Sequence, residues 1–169
     1  MKIQNIHDRI IKAPRNEIGS IIDTLSSRDD KLWPKKLWPP MRLDHGLKVN
    51  SKGGHGPIRY FVEAYQPGRM VKFRFTGPKG FNGFHCFEVL TGEADKTVIK
   101  HTLAMDTSGV ALITWPLIFR PLHDALMEDA FSAAQASLEI EREVKSWTPW
   151  VRFLRRILSR GRNKRVTDK

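Results

Sequence analysis

The chain has 169 residues, 40% of them hydrophobic, and a net charge of +11, a composition typical of a soluble globular domain. This length allows one sizeable hydrophobic core, and no apolar run approaches the roughly 18 residues that a membrane-spanning helix needs. The single cysteine, Cys86, excludes an internal disulfide and any multi-cysteine zinc site, and it favours a reducing, cytoplasmic setting.

The positive charge is concentrated at the C-terminus. Residues 147–169 contain eight Lys or Arg and one Asp, a net charge of +7, and the preceding 146 residues carry only +4. We therefore expect a folded domain over residues 1–146, followed over residues 147–169 by a basic amphipathic helix and a disordered tail.

The first third of the chain predicts a strand, a short helix and an irregular segment. Residues 3–13 are typical of a strand, and Pro14 favours the start of a helix with an apolar stripe that includes Ile18 and Ile22. The proline-rich residues 29–46 exclude regular helix or central strand, so their large apolar side chains must be buried from a loop.

Residues 47–106 alternate between apolar and polar positions, which predicts successive antiparallel strands joined by short turns. His85 and His101 fall on the apolar face, and Arg59, Lys72 and Arg74 fall on the opposite, solvated face. Apolar residues then recur at helical spacing over residues 117–146. Such a helix would be about 45 Å long, against about 30 Å for a nine-residue strand, so laid across one curved sheet it would leave space beneath it.

Three stretches of this pattern carry a family resemblance. They are IIKAPRNEIGSIIDTL (10–25), IRYFVEAYQPGRMVKFRF (58–75) and WPLIFRPLHDALMEDAF (115–131). The chain resembles the START-like (SRPBCC, polyketide cyclase-like) superfamily, which includes birch-pollen-allergen type proteins. The resemblance implies an α+β helix-grip fold, a curved antiparallel sheet wrapped around a long C-terminal helix with an internal cavity. Members include lipid and hormone binders and aromatic polyketide cyclases, so the resemblance does not choose an activity.

The cavity would be lined by apolar side chains and by imidazoles that hydrogen-bond a ligand or act as acid–base groups. The alternative is that each histidine has a purely structural role. The ligand-binding candidates are Tyr60, Phe73, His85, Phe87, His101, Leu103, Trp115, Leu122, His123 and Leu126.

No metal or cofactor is expected from the spacing of the residues. His123 has Leu126 and Met127 one turn further along the helix, where a second metal ligand would have to be. Asp124 and Glu128 share a helix face without a histidine, so we interpret them as solvated. Arg120 either attracts an acidic ligand at the cavity mouth or pairs with an acid of the domain.

Residues 147–161 give the sharpest local helix pattern. Thr148 suits the N-cap, Pro149 the first turn and Gly161 the C-terminal end. This helix is marginal alone, so it should dock on its own domain, on a second copy or on an anionic membrane at the inner membrane surface. Nucleic acid is disfavoured because the aromatic residues lie on the apolar stripe. The contact candidates are Trp150, Arg152, Leu154, Arg155 and Arg156.

Three functions are therefore open from the sequence. The first is binding of an apolar or amphipathic small molecule, such as a lipid or aromatic metabolite. The second is a cyclase- or dehydratase-type enzyme that uses a cavity histidine. The third is an interaction module that docks on a membrane through the basic helix.

Overall fold

The computed structural model describes residues 1–92 and 96–164, with side chains up to residue 158 of the last helix. The strands are β1 (Lys2–Ile11), β2 (Arg42–Leu43), β3 (Lys52–His55), β4 (Ile58–Gln66), β5 (Met70–Gly77), β6 (Phe81–Thr91) and β7 (Thr97–Thr107). The helices are α1 (Arg15–Ile22), α2 (Ala111–Thr114), a π-helix (Trp115–Phe119), α3 (Arg120–Ser137) and α4 (Pro149–Lys164).

All seven strands form one antiparallel sheet in the order β1-β7-β6-β5-β4-β3-β2. The first strand pairs with the last, with His7 opposite His101, and β6 pairs with β7 so that His85 lies opposite Leu103. Every second residue of β6 and β7 is buried, which is the pattern of a sheet whose inner face is covered by the helices. The predicted meander and its covered face are confirmed.

The helical layer begins earlier and ends earlier than the sequence predicts. Helical backbone starts at Ala111 and stops at Ser137, so the predicted helix over residues 117–146 is wrong at both ends. At the end of α3, Ile140 N returns to Gln135 O at 3.0 Å, and Glu139 takes a left-handed conformation (φ 58°). The chain then runs back along α3, where Glu143 O accepts hydrogen bonds from Ser132 and Arg9. Contacts that are distant in sequence therefore override the helical propensity of residues 138–146.

The C-terminal helix docks on its own domain. Thr148 Oγ1 accepts a hydrogen bond from Val151 N, which confirms the predicted N-cap. Val151 and Leu154 are buried, and the Arg155 guanidinium lies over the rings of Trp38 and Trp147 at 4.2 and 4.0 Å. Arg155, one of the predicted contact candidates, is therefore half-buried against these two indoles.

The end of this helix also differs from the prediction. The helix continues past Gly161 to Lys164, and residues 165–169 of the predicted disordered tail lie outside the described residues. In the described part of the chain, no helix combines the length and hydropathy that crossing a bilayer requires.

Proline chemistry explains where α4 attaches. Pro121 has no N–H, so the carbonyl of Leu117 one turn earlier lacks its usual intrahelical donor. Trp150 Nε1 donates to that carbonyl at 2.8 Å. The first turn of α4 therefore supplies the hydrogen-bond donor that Pro121 lacks.

The inner face of β1 is polar and is matched by a polar stripe on α3. Arg9 is only 6% exposed, and its guanidinium contacts Glu128 at 2.5 Å and Gln135 at 3.0 Å. Asn5 and His7, four and two residues before Arg9, both bond the Asp124 carboxylate. Asp124 and Glu128 were predicted to be solvated; that interpretation is wrong, because β1 supplies partners that helix spacing alone does not reveal.

We expect Arg9→Met to lower the free energy of unfolding by about 3 kcal/mol, because the substitution leaves the Glu128 carboxylate without its buried partner. The control is Arg74→Met. Arg74 pairs with Glu63 at 2.6 Å on the outer sheet face and is 36% exposed at the side chain, so its loss should cost at most about 1 kcal/mol. Urea unfolding curves measure both, and equal losses for the two variants would contradict the prediction.

Candidate functional site

The space between the sheet and the helical layer is filled by aromatic rings packed around His85. The imidazole stacks on Phe73 and Phe75, with ring centroids 4.8 and 5.2 Å away, and it meets the Tyr60 ring edge-on at 4.9 Å. Tyr60, Phe73 and His85 are all buried, because they are inward-facing residues on the adjacent strands β4, β5 and β6. The centre of the sheet thus presents one imidazole within an aromatic wall.

A second imidazole contacts the first. His101 on β7 is 1% exposed, and its Nε2 lies 3.2 Å from His85 Nδ1, a hydrogen-bond distance. The other nitrogen of each ring, His85 Nε2 and His101 Nδ1, is buried and has no hydrogen-bond partner among the described residues. Unpaired buried polar atoms are uncommon in native proteins and call for an explanation.

Further histidines extend this pair in both directions. On one side, His55 Nδ1 lies 3.1 Å from the Tyr60 hydroxyl. On the other side, the rings of His101 and His123 are 5.0 Å apart, and those of His123 and His7 are 5.5 Å apart. We call His55, His85, His101, His123 and His7, with Tyr60 between the first two, the histidine row. Of the chain's six histidines, only His45 lies outside it.

Burial keeps the centre of the row uncharged. Burial lowers the pKa of both His85 and His101 well below the ordinary 6.5, because a charged imidazolium would lose its hydration in the apolar interior. Neighbouring imidazoles act in the same direction. Burial also lowers the pKa of His55, to about 3, and raises the pKa of the Tyr60 hydroxyl well above 10. At neutral pH these groups offer hydrogen bonds rather than charge.

A carboxylate closes the row at its His7 end. His7 Nε2 lies 3.0 Å from Asp124 Oδ1, and Asn5 Nδ2 donates to the same oxygen at 2.9 Å. Burial by itself would raise the pKa of Asp124, but the nearby His123 and His7 imidazoles and the Asn5 amide hold it below its ordinary value. Arg120 Nε stands 3.8 Å from Asp124 Oδ2, so Arg120 pairs with an acid of the domain.

The helical layer contributes a second aromatic cluster beside the row. Trp115, in the π-helix, lies 6.2 Å from His123 and 6.0 Å from Phe81, measured between ring centroids. Phe81 also meets Phe119 at 5.1 Å. We call Phe81, Trp115 and Phe119 the ring lid, because they close the interior at the end where the π-helix and two prolines interrupt regular helical hydrogen bonding.

The structure brings together most of the candidates that the sequence identified. The fully buried ones on the inner face or facing it are Tyr60, Phe73, His85, Phe87, His101, Leu103, Trp115 and Leu126. Leu122 and His123 are partly buried on α3. Of the α4 candidates, Leu154 is buried, Trp150, Arg152 and Arg156 are exposed, and Arg155 is half-buried against two indoles.

Sequence reasoning missed His7, His55 and Asp124 as parts of the site. His7 lies on the inward-facing alternation of β1, and that period-two pattern is the signal that could have identified it. His55 follows two glycines in the four-residue strand β3, where alternation is too brief to assign a face.

The described part of the structure has two open pockets of about 540 Å³ each, one of them lined in part by Tyr60. One is lined by residues of β3, β4 and β5 and the other by residues of α1 and the β4–β5 turn. Neither lining includes His85 or His101, so the internal cavity between sheet and helix stays a prediction.

Comparison with known proteins supports the fold strongly. No family model and no curated protein matches the sequence. Among solved structures, a protein from Thermobifida fusca superposes with a TM-score of 0.61 at 12% identity, over 84% of this chain and 99% of that one. Norcoclaurine synthase from Thalictrum flavum, in complex with dopamine and hydroxybenzaldehyde, superposes with a TM-score of 0.60 at 15% identity, over 85% and 90% of the two chains.

A third solved structure agrees with these two. CalU16 from Micromonospora echinospora superposes with a TM-score of 0.51 at 14% identity, over 81% of this chain and 87% of that one. These neighbours have the sheet and long helix described above, and identities this low bear on fold alone. The chain has the helix-grip fold that its sequence resemblance implied.

Proposed function

We propose that this protein binds an apolar or amphipathic small molecule, such as a lipid or an aromatic metabolite, between the inner face of the sheet and the helical layer. The observation that carries the proposal is the pair of buried nitrogens, His85 Nε2 and His101 Nδ1, that lack hydrogen-bond partners among the described residues. Their surroundings are aromatic, so burial of ligand surface would supply most of the affinity, at about 25 cal/mol per Å² before ordering costs.

The two free nitrogens must be one donor and one acceptor. A neutral imidazole has one N–H and one bare nitrogen. In the His85–His101 hydrogen bond, whichever ring donates keeps a bare nitrogen at its other end, and the ring that accepts keeps an N–H. A hydroxyl or phenol group can both donate and accept, so it would satisfy whichever of the two nitrogens it reaches. We therefore favour a ligand that carries an uncharged hydroxyl group on an apolar or aromatic body.

The ligand would have to open the ring lid, because side chains occupy the interior. Phe119 is partly buried, whereas Trp115 and Phe81 are 3% and 8% exposed, so Phe119 is the lid ring nearest to solvent. The π-helix and Pro121 weaken the backbone hydrogen bonding that holds it. Norcoclaurine synthase, whose fold is the same, has been solved with the aromatic molecules dopamine and hydroxybenzaldehyde, and this supports an aromatic ligand class.

A second candidate function, docking on an anionic membrane, is favoured by the uncovered side of α4. Val151 and Leu154 are buried on the domain, but Trp150, Phe153 and Ile157, spaced three and four residues apart, are 45–51% exposed. Trp150 and Phe153 stack on each other, 5.4 Å apart. We call Trp150, Phe153, Ile157 and the neighbouring exposed Leu117 the apolar patch; it is continuous because Trp150 bonds the Leu117 carbonyl.

The net positive charge of the C-terminal residues supports an anionic lipid surface as the binding partner of the apolar patch. Residues 147–169 carry a net charge of +7, and Arg152 and Arg156 are exposed on α4. Basic residues near an anionic leaflet contribute about 1 kcal/mol each, and an amphipathic helix inserts its aromatic side into the interface. The membrane candidate is independent of the interior ligand, since none of its residues belongs to the histidine row.

The first prediction tests whether His85 is neutral in the folded protein. Its folded-state pKa is depressed, so below pH 6.5 the unfolded chain binds a proton that the folded chain does not, and stability is lost as pH falls. The expected slope is about 1.4 kcal/mol per pH unit for this one group. His85→Phe should be less stable than the parent at pH 7.5, since His101 loses its partner, but the gap should narrow by about 2 kcal/mol by pH 5.

Urea unfolding at several pH values measures this gap. His45→Gln is the control, because the His45 side chain is 75% exposed, and its unfolding free energy should follow that of the parent. A gap between His85→Phe and the parent that stays constant or widens towards pH 5 would show that His85 is not held neutral.

The second prediction tests the interior ligand. Native mass spectrometry of the purified, untagged protein should detect a co-purified small molecule. After removal of that molecule, the amphipathic fluorophore 1-anilinonaphthalene-8-sulfonate, added with EDTA present, should bind saturably at one site and raise the melting temperature. The double substitution His85→Phe/His101→Phe should change the affinity for the fluorophore by at least about tenfold, which corresponds to the contribution of one hydrogen bond. The control His45→Gln should leave this affinity unchanged.

Binding kinetics test the proposed opening. Phe119→Ala should accelerate fluorophore association without a comparable loss of affinity, because it removes one ring from the lid. No saturable binding by the parent, or binding that the histidine double variant leaves unchanged, contradicts the proposed site. A bound compound that is converted to a product of different mass would favour the enzyme alternative.

The third prediction tests the apolar patch. The parent protein should co-sediment with vesicles of phosphatidylserine and phosphatidylcholine, less so at high salt, and only weakly with phosphatidylcholine alone. Phe153→Ser/Ile157→Ser should abolish co-sedimentation without unfolding the domain, because both side chains are about half exposed. Ile10→Ser/Val49→Ser removes exposed apolar side chains elsewhere and should bind like the parent. Equal binding by both double variants would contradict the patch.

A further inference from the structure

One end of the histidine row has the composition of a metal site. His7 on β1 and His123 and Asp124 on α3 each offer one ligand atom, and these three atoms lie within 4.8 Å of one another. His7 Nε2 and Asp124 Oδ1 are already 3.0 Å apart, and His123 Nδ1 is 3.8 Å from the same carboxylate oxygen. Ligand atoms around a tetrahedral metal ion at about 2.0–2.1 Å are separated by similar distances.

The hydrogen bonding of these residues is incomplete. Both ring nitrogens of His123 are buried and have no hydrogen-bond partner among the described residues, and the same holds for Asn5 Oδ1. A neutral imidazole with two unpaired nitrogens loses water at both ends without compensation. Coordination of a cation by one nitrogen would supply the missing interaction.

We propose that His7, His123 and Asp124 bind a divalent transition metal of the zinc class, with one ion per chain. Two imidazoles and one carboxylate suit Zn²⁺, Co²⁺, Ni²⁺ or Fe²⁺, whereas Ca²⁺ and Mg²⁺ prefer all-oxygen sites. Three protein ligands leave a coordination position for water or for a ligand oxygen, as in catalytic rather than structural zinc sites.

Two neighbouring residues position the Asp124 carboxylate for metal binding. Asn5 Nδ2 donates to Asp124 Oδ1, and Arg120 approaches the other oxygen, Oδ2, at 3.8 Å. Such outer contacts orient metal-binding carboxylates. The Arg120 charge opposes a cation, but its side chain is 61% exposed, so water screens that repulsion. His7 and His123 side chains are each 15% exposed, so the site lies near the protein surface although both His123 nitrogens are buried.

The location links the metal site to the interior without making either depend on the other. His123 contacts the rings of His101 and Trp115 at centroid distances of 5.0 and 6.2 Å. A metal held by His123 would therefore lie at the border of the proposed ligand space. Metal binding requires only the three named side chains and is tested with no organic ligand present.

The experiment titrates untagged, EDTA-treated and dialysed protein with Co²⁺ and then with Zn²⁺. We expect one equivalent of Co²⁺ to produce visible d–d absorption bands, which Zn²⁺ then removes by competition, and Zn²⁺ to raise the melting temperature. Asp124→Asn and His7→Gln should each weaken Co²⁺ binding by at least about tenfold, a loss that is seen even when a residue that only hydrogen-bonds a metal ligand is changed.

The matched control is His45→Gln. His45 Nδ1 lies 3.1 Å from Asp44 Oδ1, so it forms an exposed imidazole–carboxylate pair of the same chemistry, and its loss should leave Co²⁺ binding unchanged. Two substitutions guard against misfolding: if one fails to fold by circular dichroism, the other gives the result. No one-equivalent binding by the parent, or full binding by a folded His7→Gln or Asp124→Asn variant, overturns the proposal.

Failure here is distinguishable from failure of the interior ligand. The fluorophore assay contains EDTA, and the Co²⁺ titration contains no organic ligand. Loss of fluorophore binding in His85→Phe/His101→Phe therefore carries no information about the metal, and loss of Co²⁺ bands in His7→Gln carries none about the ligand.

Discussion

The structure depends on the match between a polar strand and a polar helix stripe. Two residues along β1 advance about 6.8 Å, and four residues along α3 advance about 6 Å. His7 therefore reaches Asp124, and Arg9 reaches Glu128, in the same register. Because these are polar or charged groups that are buried or half-buried, a shift of α3 along the sheet would leave several of them unpaired. This interface fixes the helix position more specifically than apolar contacts could.

The same interface determines where the interior can bind anything. At β1 the space under α3 is occupied by ion pairs, and Arg9 also holds the returning segment through Glu143 O. Towards β4 and β5 the inner face becomes aromatic, and the neutral His85–His101 pair lies between the two regions. The ligand that we propose would therefore bind on the aromatic side, away from the Asp124 carboxylate at the His7 end. The inner face of the sheet thus has an aromatic region near β4 and β5 and a separate region of charged side chains at β1.

Local patterns were sufficient to predict the longer strands β1 and β4 to β7, the inner face of the sheet and the helix-grip architecture, but not the short strand β2. Alternation placed His85 and His101 on the buried face correctly, because each lies in an eleven-residue strand long enough to show a period of two. The same reasoning failed where the deciding partner is remote. Residues 138–146 leave the helix because Gln135, Ser132 and Arg9 bind the returning chain. No local signal contains that information.

The candidate site likewise combines residues that local sequence patterns identified with residues that only the fold brings together. The sequence identified His123 but rejected a metal, since the residues one turn along α3 are not ligands. The second imidazole of the proposed metal site belongs to His7 on β1. The pairing of β1 with β7 places His7 opposite His101. Asp124 was assigned to solvent for the same reason. Sites assembled from one helix can be found by spacing, whereas this one needs the strand order of the sheet.

The ring lid and the apolar patch meet at one backbone carbonyl. Pro121 frees the Leu117 carbonyl, Trp150 binds it, and Phe119 of the lid is two residues away in the same π-helix. A displacement of Trp150 would therefore act on the π-helix, which is the least regular part of the helical layer and lies next to the ring lid. If α4 inserts Trp150 and Phe153 into a lipid interface, it does so beside the opening proposed for the ligand. An apolar molecule could then pass between bilayer and protein interior without crossing water, the step that opposes its transfer most strongly.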